Sequence, residues 1–137
     1  MTRKWLPVLI ALLCTLLLQS CSYVADVILR NGTGSGITLI SRGVEIHLGP
    51  GQSATLLEPR FMPQFDVRFG TTLRRYIYRR PPDEGFFRLR MGGLNRGEYN
   101  LRAMPNHEIE ALAVDAKRRV VTESVAQPEG YPLHPEP

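Results

Sequence analysis

The sequence predicts an all-β fold, a small antiparallel β-sandwich of immunoglobulin-like architecture. Three observations lead to this expectation: apolar and polar residues alternate over short segments, turn signals separate these segments at roughly 8 to 12 residues, and residues 24–125 contain no long segment with the 3.6-residue period of a helix. The Cys, Trp, Cys pattern of antibody domains is missing, so the expectation concerns architecture alone.

Four segments carry the strand pattern most clearly. Residues 37–40 (ITLI) and 44–48 (VEIHL) flank a Ser-Arg-Gly turn, so they predict a hairpin. Residues 65–69 (FDVRF) put three apolar side chains on one face and two charged ones on the other, and residues 87–91 (FRLRM) repeat the pattern. Glycine, proline and polar residues predict turns between the strands at 31–36, 49–52, 80–85, 92–97 and 116–119.

The last residues have a different composition. Residues 126–137 are rich in proline and poor in apolar residues, which predicts an extended tail and not a strand. Tyr131 and Leu133 are its candidates for docking onto the domain.

The first residues are typical of an export signal. A cationic head (residues 1–4) precedes a nearly unbroken apolar run (5–18), which is shorter than the roughly 20 residues of a transmembrane helix. Residues 18–21 (LQSC) follow directly. This order resembles the bacterial lipoprotein signal, whose lipobox is an apolar residue, a variable one, a small one and a cysteine.

The resemblance implies cleavage between Ser20 and Cys21, with diacylglycerol and an N-acyl chain then attached to Cys21. Two or three acyl chains hold a protein stably on a membrane. Ser22 stands where aspartate would mark retention in the inner membrane, so the expected location is the periplasmic face of the outer membrane, with that of the inner membrane as the alternative. In the competing interpretation the protein is soluble and Cys21 is a buried core cysteine.

With such a signal, the two cysteines of the chain leave no cysteine chemistry for the mature domain. Cys14 lies in the signal and Cys21 is modified, so no thiol remains for a disulfide, a zinc site or a nucleophile. Removing 20 of the 137 residues leaves 117, enough for one domain with its own core. The expected division is a signal peptide at 1–20, a sandwich at 21–125 and a tail at 126–137.

Positive charge is concentrated in the middle of the chain. The net charge is +4, or +2 without Arg3 and Lys4. Residues 65–102 contain nine arginines and only four acidic residues, which is a local excess of +5. We expect Arg68, Arg88 and Arg90 to share a solvent face. The nine arginines are Arg68, Arg74, Arg75, Arg79, Arg80, Arg88, Arg90, Arg96 and Arg102.

Two arginine pairs surround a tyrosine-containing segment. Arg74-Arg75 and Arg79-Arg80 flank Tyr76 and Tyr78. Neighbouring residues of a strand point to opposite faces, so the segment is expected at an exposed sheet edge or in a protruding hairpin.

No motif in the sequence indicates catalysis or metal binding. The glycines of 31–36 do not fit a dinucleotide or phosphate loop, no GxSxG or SxxK motif occurs, and His47, His107 and His134 lack metal-ligand spacing. We therefore expect no enzymatic activity, no metal and no cofactor besides the covalent lipid. The export signal also argues against a nucleic-acid partner.

The expected function is that of a membrane-anchored structural or adaptor element of the cell envelope, binding another protein close to the bilayer, since only Ser22 and Tyr23 separate Cys21 from the first strand. The alternative is a module for an anionic ligand such as a lipid headgroup, lipopolysaccharide or peptidoglycan. In a third interpretation the arginines only keep the domain soluble. The ligand-binding residues would be Arg68, Arg74, Arg75, Tyr76, Tyr78, Arg79, Arg80, Arg88 and Arg90.

Overall fold

The computed structural model describes residues 5–19, 24–56, 59, 62–89 and 96–137. Within them the chain forms one helix and nine strands. The helix, α1, is Leu6–Gln19. The strands are β1 (Val24–Asn31), β2 (Ile37–Ser41), β3 (Val44–Leu48), β4 (Ser53–Leu56), β5 (Gln64–Phe69), β6 (Thr72–Ile77), β7 (Phe87–Leu89), β8 (Arg96–Ala103) and β9 (Ile109–Leu112).

The strands form two packed sheets, which confirms the prediction of an all-β sandwich. Sheet A has the strand order β4-β1-β8. The other edge of β8 is shared by two strands, because β7 pairs with its first half and β9 pairs with its second half. Sheet B has the order β3-β2-β5-β6. Consecutive strands form two hairpins, β2–β3, which the sequence predicts, and β5–β6, which it does not. Both are antiparallel because a two-residue loop permits only antiparallel neighbours.

One pairing departs from the antiparallel expectation. β1 and β8 run parallel over eight residue pairs, from Val24 beside Arg96 to Asn31 beside Ala103. The other pairings among the described strands are antiparallel. Parallel strands cannot be joined by a short turn, and here residues 32–95 separate the two partners, a pairing that local patterns do not predict.

The core lies between the sheets and is built from alternate residues of each strand. Phe65 and Val67 point inward from β5 as their spacing predicts, while Asp66 and Arg68 lie on the outer side. Burying one such aliphatic side chain contributes about 1.5–3 kcal/mol. The fully enclosed core members include Val27, Leu29, Leu39, Val67, Tyr76, Tyr99, Leu101, Ala103, Ile109 and Ala111.

The β2–β3 turn has the backbone that its sequence suggests. Ser41 pairs with Val44, so the loop consists of Arg42 and Gly43, with φ values of 51° and 76°. Two positive φ angles define the type I′ hairpin turn, whose twist matches that of the flanking strands. Glycine takes the second position without strain.

The C-terminal tail closes one side of the sandwich. Leu133 exchanges two backbone hydrogen bonds with Ile109 of β9, at 3.0 and 2.8 Å, and the Glu136 amide donates to the Arg75 carbonyl of β6 at 2.7 Å. Tyr131 and Leu133 belong to the core, being only 8% and 5% exposed. The tail thus joins an edge of sheet A to an edge of sheet B.

A side chain covers the remaining part of the β9 edge. The Gln127 amide donates to the Ala111 carbonyl at 3.1 Å and accepts from the Ala111 amide at 2.8 Å. It therefore substitutes for a neighbouring strand, and covered edges resist pairing with other chains.

Helix α1 lies outside this core. Its apolar side chains are largely exposed, for example those of Leu6, Leu9 and Leu12. No helix in the described part of the chain is both long and apolar enough to span a membrane.

Candidate functional sites: the β6 edge and a basic groove on sheet A

Three of the sequence-predicted site residues lie outside the described residues. These are Ser20 and Cys21 at the expected cleavage and lipidation site, and Arg90 after β7. The remaining predicted residues have defined positions on three different parts of the sandwich.

The expectation that Arg68 and Arg88 share a solvent face is wrong. Arg68 lies on β5 in sheet B and pairs with Glu45 across the outer side of that sheet, with 3.4 Å between Nη2 and Oε1. Arg88 lies on β7 in sheet A, opposite Glu98 of β8. The two strands share an alternation pattern, but the pattern does not reveal to which sheet a strand belongs.

β6 is the outermost strand of sheet B, as expected for the arginine and tyrosine segment, but its edge is not fully exposed, because the Glu136 amide donates to the Arg75 carbonyl. Arg75 points outward and binds the Asp66 carboxylate, with Nε to Oδ1 at 3.0 Å. Arg74 points to the opposite side, where its Nε donates to His107 Nδ1 at 3.4 Å. An edge strand admits charged residues on both sides because its core-facing side is only partly covered.

Tyr76 and Tyr78 are expected among the ligand-binding residues, but Tyr76 is withdrawn from the surface completely and Tyr78 in part. Tyr76 is fully buried, stacks on Phe65 with ring centroids 5.4 Å apart, and donates to the His107 carbonyl at 2.5 Å. Burial raises its pKa to about 12. Tyr78 packs against the core, and burial raises its pKa as well. Tyr76 belongs to the core and Tyr78 is half-buried against it, because the tail and the 104–108 turn cover this edge.

Arg80 belongs to a hydrogen-bonded surface cluster at the turn before β7. Its Nε donates to the Tyr99 hydroxyl at 2.7 Å, and its Nη2 pairs with the Asp83 carboxylate at 3.1 Å. The Tyr99 hydroxyl donates to the same carboxylate, and this hydrogen bond lowers the pKa of Asp83. Arg79 is exposed, and its carbonyl accepts a hydrogen bond from Tyr131. The arginines therefore do not form one binding face.

The outer side of β6 is the most apolar exposed strand surface of sheet B. Leu73 and Ile77 flank Arg75 there and are 52% and 38% exposed. Since Asp66 holds the guanidinium of Arg75, the row presents a fixed arginine between two aliphatic side chains. We call these three residues the β6 row.

A groove lies on the outer face of sheet A. It has a volume of about 810 Å³ and is bounded by β1, β4, β7 and β8 on one side and by the 114–120 turn on the other. The turn is attached at its base, where Val114 and Val120 bridge and the Val114 amide donates to the Gly85 carbonyl at 2.7 Å. We call this feature the sheet A groove, and its lining residues are Ile28, Ser53, Arg88, Leu89, Glu98, Asn100, Lys117, Arg118 and Arg119.

Asp115 shapes the turn that carries three of these cations. Its Oδ1 accepts from the backbone amides of Lys117 and Arg119 at 2.9 and 2.8 Å, and its Oδ2 accepts from the Arg119 side chain at 2.9 Å. The hydrogen bond from the Arg119 amide is the main reason that the pKa of Asp115 is lowered. Arg118 has a φ of 60°, a conformation that the Asp115 bonds support.

The charges of the groove do not cancel. Arg88 pairs with the buried Glu98, Nη1 to Oε1 at 3.2 Å, and Arg119 pairs with Asp115 at 2.9 Å. These pairs leave Lys117 and Arg118 without a carboxylate within salt-bridge distance among the described residues. The groove therefore carries an excess of positive charge.

The floor of the groove offers a further donor. Asn100 Nδ2 is shielded from solvent and has no hydrogen-bond partner among the described residues. Ile28 and Leu89 add apolar surface. The sequence pattern indicates Arg88 as a site residue but indicates only a turn at 116–119. The run of three cations at 117–119 was the available signal, and its meaning depends on the fold bringing it over sheet A.

Within the described residues, no group of three or more His, Cys, Asp or Glu side chains is arranged to hold a metal ion. Comparisons with protein-family models, with curated proteins and with solved structures found no match for the chain.

Proposed function

We propose that the chain is a bacterial lipoprotein, acylated on Cys21 and held at the periplasmic face of the outer membrane, whose sandwich acts as a structural or adaptor element of the cell envelope. The signal segment and the LQSC motif support the anchor. The start of β1 at Val24 supports action close to the bilayer, because the three residue steps from Cys21 span at most about 11 Å.

The observation that carries the adaptor proposal is the β6 row. Aromatic residues and arginine are enriched at protein interfaces, where the interface centre is desolvated and apolar. The row combines two exposed aliphatic side chains with an arginine already oriented by Asp66, so little side-chain entropy is lost on binding. An envelope protein with an apolar patch beside an acidic residue fits this surface.

In-cell crosslinking followed by mass spectrometry of the captured proteins tests this function. We expect a discrete protein partner with the wild type, and its loss in Cys21→Ala and in the double variant Leu73→Thr/Ile77→Thr. Threonine keeps the strand preference while removing apolar area. Val44→Thr is the matched control, because Val44 is a 47% exposed aliphatic residue on β3, the opposite edge of sheet B.

Two results would contradict the proposal separately. An unmodified Cys21 in the mass spectrum of the mature N-terminal peptide would remove the anchor. Equal capture by the wild type and the Leu73→Thr/Ile77→Thr variant would remove the β6 row as the interface.

A second candidate function is the binding of an anionic envelope ligand, and the sheet A groove favours it. Lys117 and Arg118, which have no carboxylate partner among the described residues, lie on a turn whose backbone is already fixed. Binding of this kind weakens steeply as salt is raised, whereas an apolar protein interface does not. Salt dependence therefore separates the two functions.

A further inference from the structure

We propose that the sheet A groove binds the phosphate group of an anionic phospholipid in the membrane that carries the protein, with Lys117 and Arg118 as the phosphate-binding residues. This inference rests on the proposed anchor at Cys21 for its choice of lipid over other anions. It differs from the sequence-based candidate site, whose residues other than Arg88 lie elsewhere on the sandwich or, for Arg90, outside the described residues.

The position of the groove along sheet A is the first argument. The chain enters the sheet at Val24, which lies beside Arg96 in the strand register. Two residues further on, Asp26 lies beside Glu98, and Glu98 lies beside Arg88, which is at the near end of the groove floor. Asp26 follows Cys21 by five residues, which span at most about 18 Å. The floor extends from this level to Ser53, which lies beside Arg30 near the far end of β1, so the near end of the groove is within reach of lipid headgroups.

The charge of the groove is the second argument. Two of its four cations are neutralised by Glu98 and Asp115, and Lys117 and Arg118 are not paired within the described residues. A phosphodiester carries one negative charge on two oxygen atoms. Arginine binds such a pair of oxygens with its planar fork, and lysine binds one as a point charge.

The mixed chemistry of the floor is the third argument. Asn100 Nδ2 supplies an N–H donor that has no partner among the described residues, so a ligand oxygen would satisfy it. Ile28 and Leu89 form apolar surface beside it. A lipid headgroup presents a phosphate and a glycerol backbone with acyl chains, which suits such a floor, whereas inorganic phosphate or a glycan leaves the apolar side chains uncovered.

The test is a titration monitored by nuclear magnetic resonance. The full chain is held in micelles of a neutral detergent, and phosphatidylglycerol is added in increasing mole fraction while the amide signals of Lys117 and Arg118 and the side-chain amide of Asn100 are followed. α1 keeps the chain on the micelle in every variant, so the readout does not depend on acylation. Parallel titrations use phosphatidylcholine and inorganic phosphate.

We expect phosphatidylglycerol to shift all three signals to saturation, and phosphatidylcholine and inorganic phosphate to leave them unchanged. Lys117→Gln/Arg118→Gln should bind roughly 20- to 30-fold more weakly, since each cation near an anionic lipid surface contributes about a factor of five. Arg42→Gln/Arg68→Gln removes the same charge from sheet B and should stay within about twofold of the wild type.

The proposal is overturned if phosphatidylglycerol leaves the groove signals in place or if Lys117→Gln/Arg118→Gln binds as tightly as the wild type. Equal saturation by inorganic phosphate would overturn the assignment to lipid. Mass spectrometry of Cys21 is independent of these results. An unmodified cysteine together with saturable groove signals would refute the anchor and leave a lipid-phosphate site. An acylated cysteine together with unchanged groove signals would refute the groove alone.

Discussion

Replacing Tyr131 by alanine tests whether the C-terminal tail is a structural part of the sandwich. Tyr131 lies in the tail that joins β9 to β6, its ring is 8% exposed within the core, and its hydroxyl donates to the Arg79 carbonyl. A tail that merely rests on the surface would contribute little to stability. A tail that closes the core should contribute as much as a core residue.

The expected cost follows from what the substitution removes. Truncation of a buried aromatic side chain to alanine costs about 3–5 kcal/mol, and we expect about 3 kcal/mol because Tyr131 lies at the rim of the core, where the site partly collapses. Tyr131→Phe removes only the hydroxyl and its hydrogen bond to Arg79, which costs about 1 kcal/mol.

Equilibrium unfolding in urea, followed by far-ultraviolet circular dichroism, measures both values. The only tryptophan, Trp5, lies beside α1 and outside the sandwich, so its fluorescence would not report on the core. With a slope of about 1.5 kcal/mol per molar urea, Tyr131→Ala should lower the midpoint by roughly 2 M.

The matched control is Glu129→Ala, an exposed position of the same tail, which should leave the midpoint unchanged. An unchanged midpoint for Tyr131→Ala would refute the reasoning, because the tail would then open without unfolding the sandwich. A smaller dependence of the unfolding free energy on urea concentration, with the same midpoint, would also indicate that the tail opens separately from the sandwich.

Two further predictions concern the core. In Gly97→Ala the new Cβ would lie 2.0 Å from Phe87 Cζ, so we expect the free energy of unfolding to fall by about 2 kcal/mol and the melting temperature by roughly 8–12 °C. Much of this loss should be recovered when Gly97→Ala is made in the Phe87→Ala background. A double-mutant cycle in which the two losses simply add would contradict the clash. Stability should also fall above pH 10: burial raises the pKa of Tyr99 and Tyr76 to about 12, so the folded state keeps protons that the unfolded state loses between pH 10 and 12. Unfolding free energies at pH 9, 10 and 11 measure this loss, and equal values at all three would contradict it.

Local sequence patterns were sufficient for the strands and their faces. The alternation in 65–69 correctly predicts Phe65 and Val67 inside and Arg68 outside, because a side chain's face follows from its place in a two-residue repeat. The Ser-Arg-Gly segment likewise predicts its hairpin, because a tight turn is decided by its own residues.

Local patterns were not sufficient for the candidate sites. Arg68 and Arg88 have the same spacing relative to their apolar neighbours, yet they lie on opposite sheets. Tyr76 lies on an edge strand as predicted, but the 104–108 turn, some 30 residues later, buries it. In both cases the outcome depends on contacts between distant segments.

The sequence by itself determined the all-β class, the β2–β3 hairpin turn and the positions of four of the nine described strands, because short-range sterics and the two-residue period of the backbone decide these features. Tertiary structure alone decided the parallel pairing of β1 with β8, the closure of the sandwich by the tail, and the groove in which Lys117 and Arg118 lie near Asn100. Each of these joins segments far apart in the chain, and such contacts form because the two sheets must bury one common core.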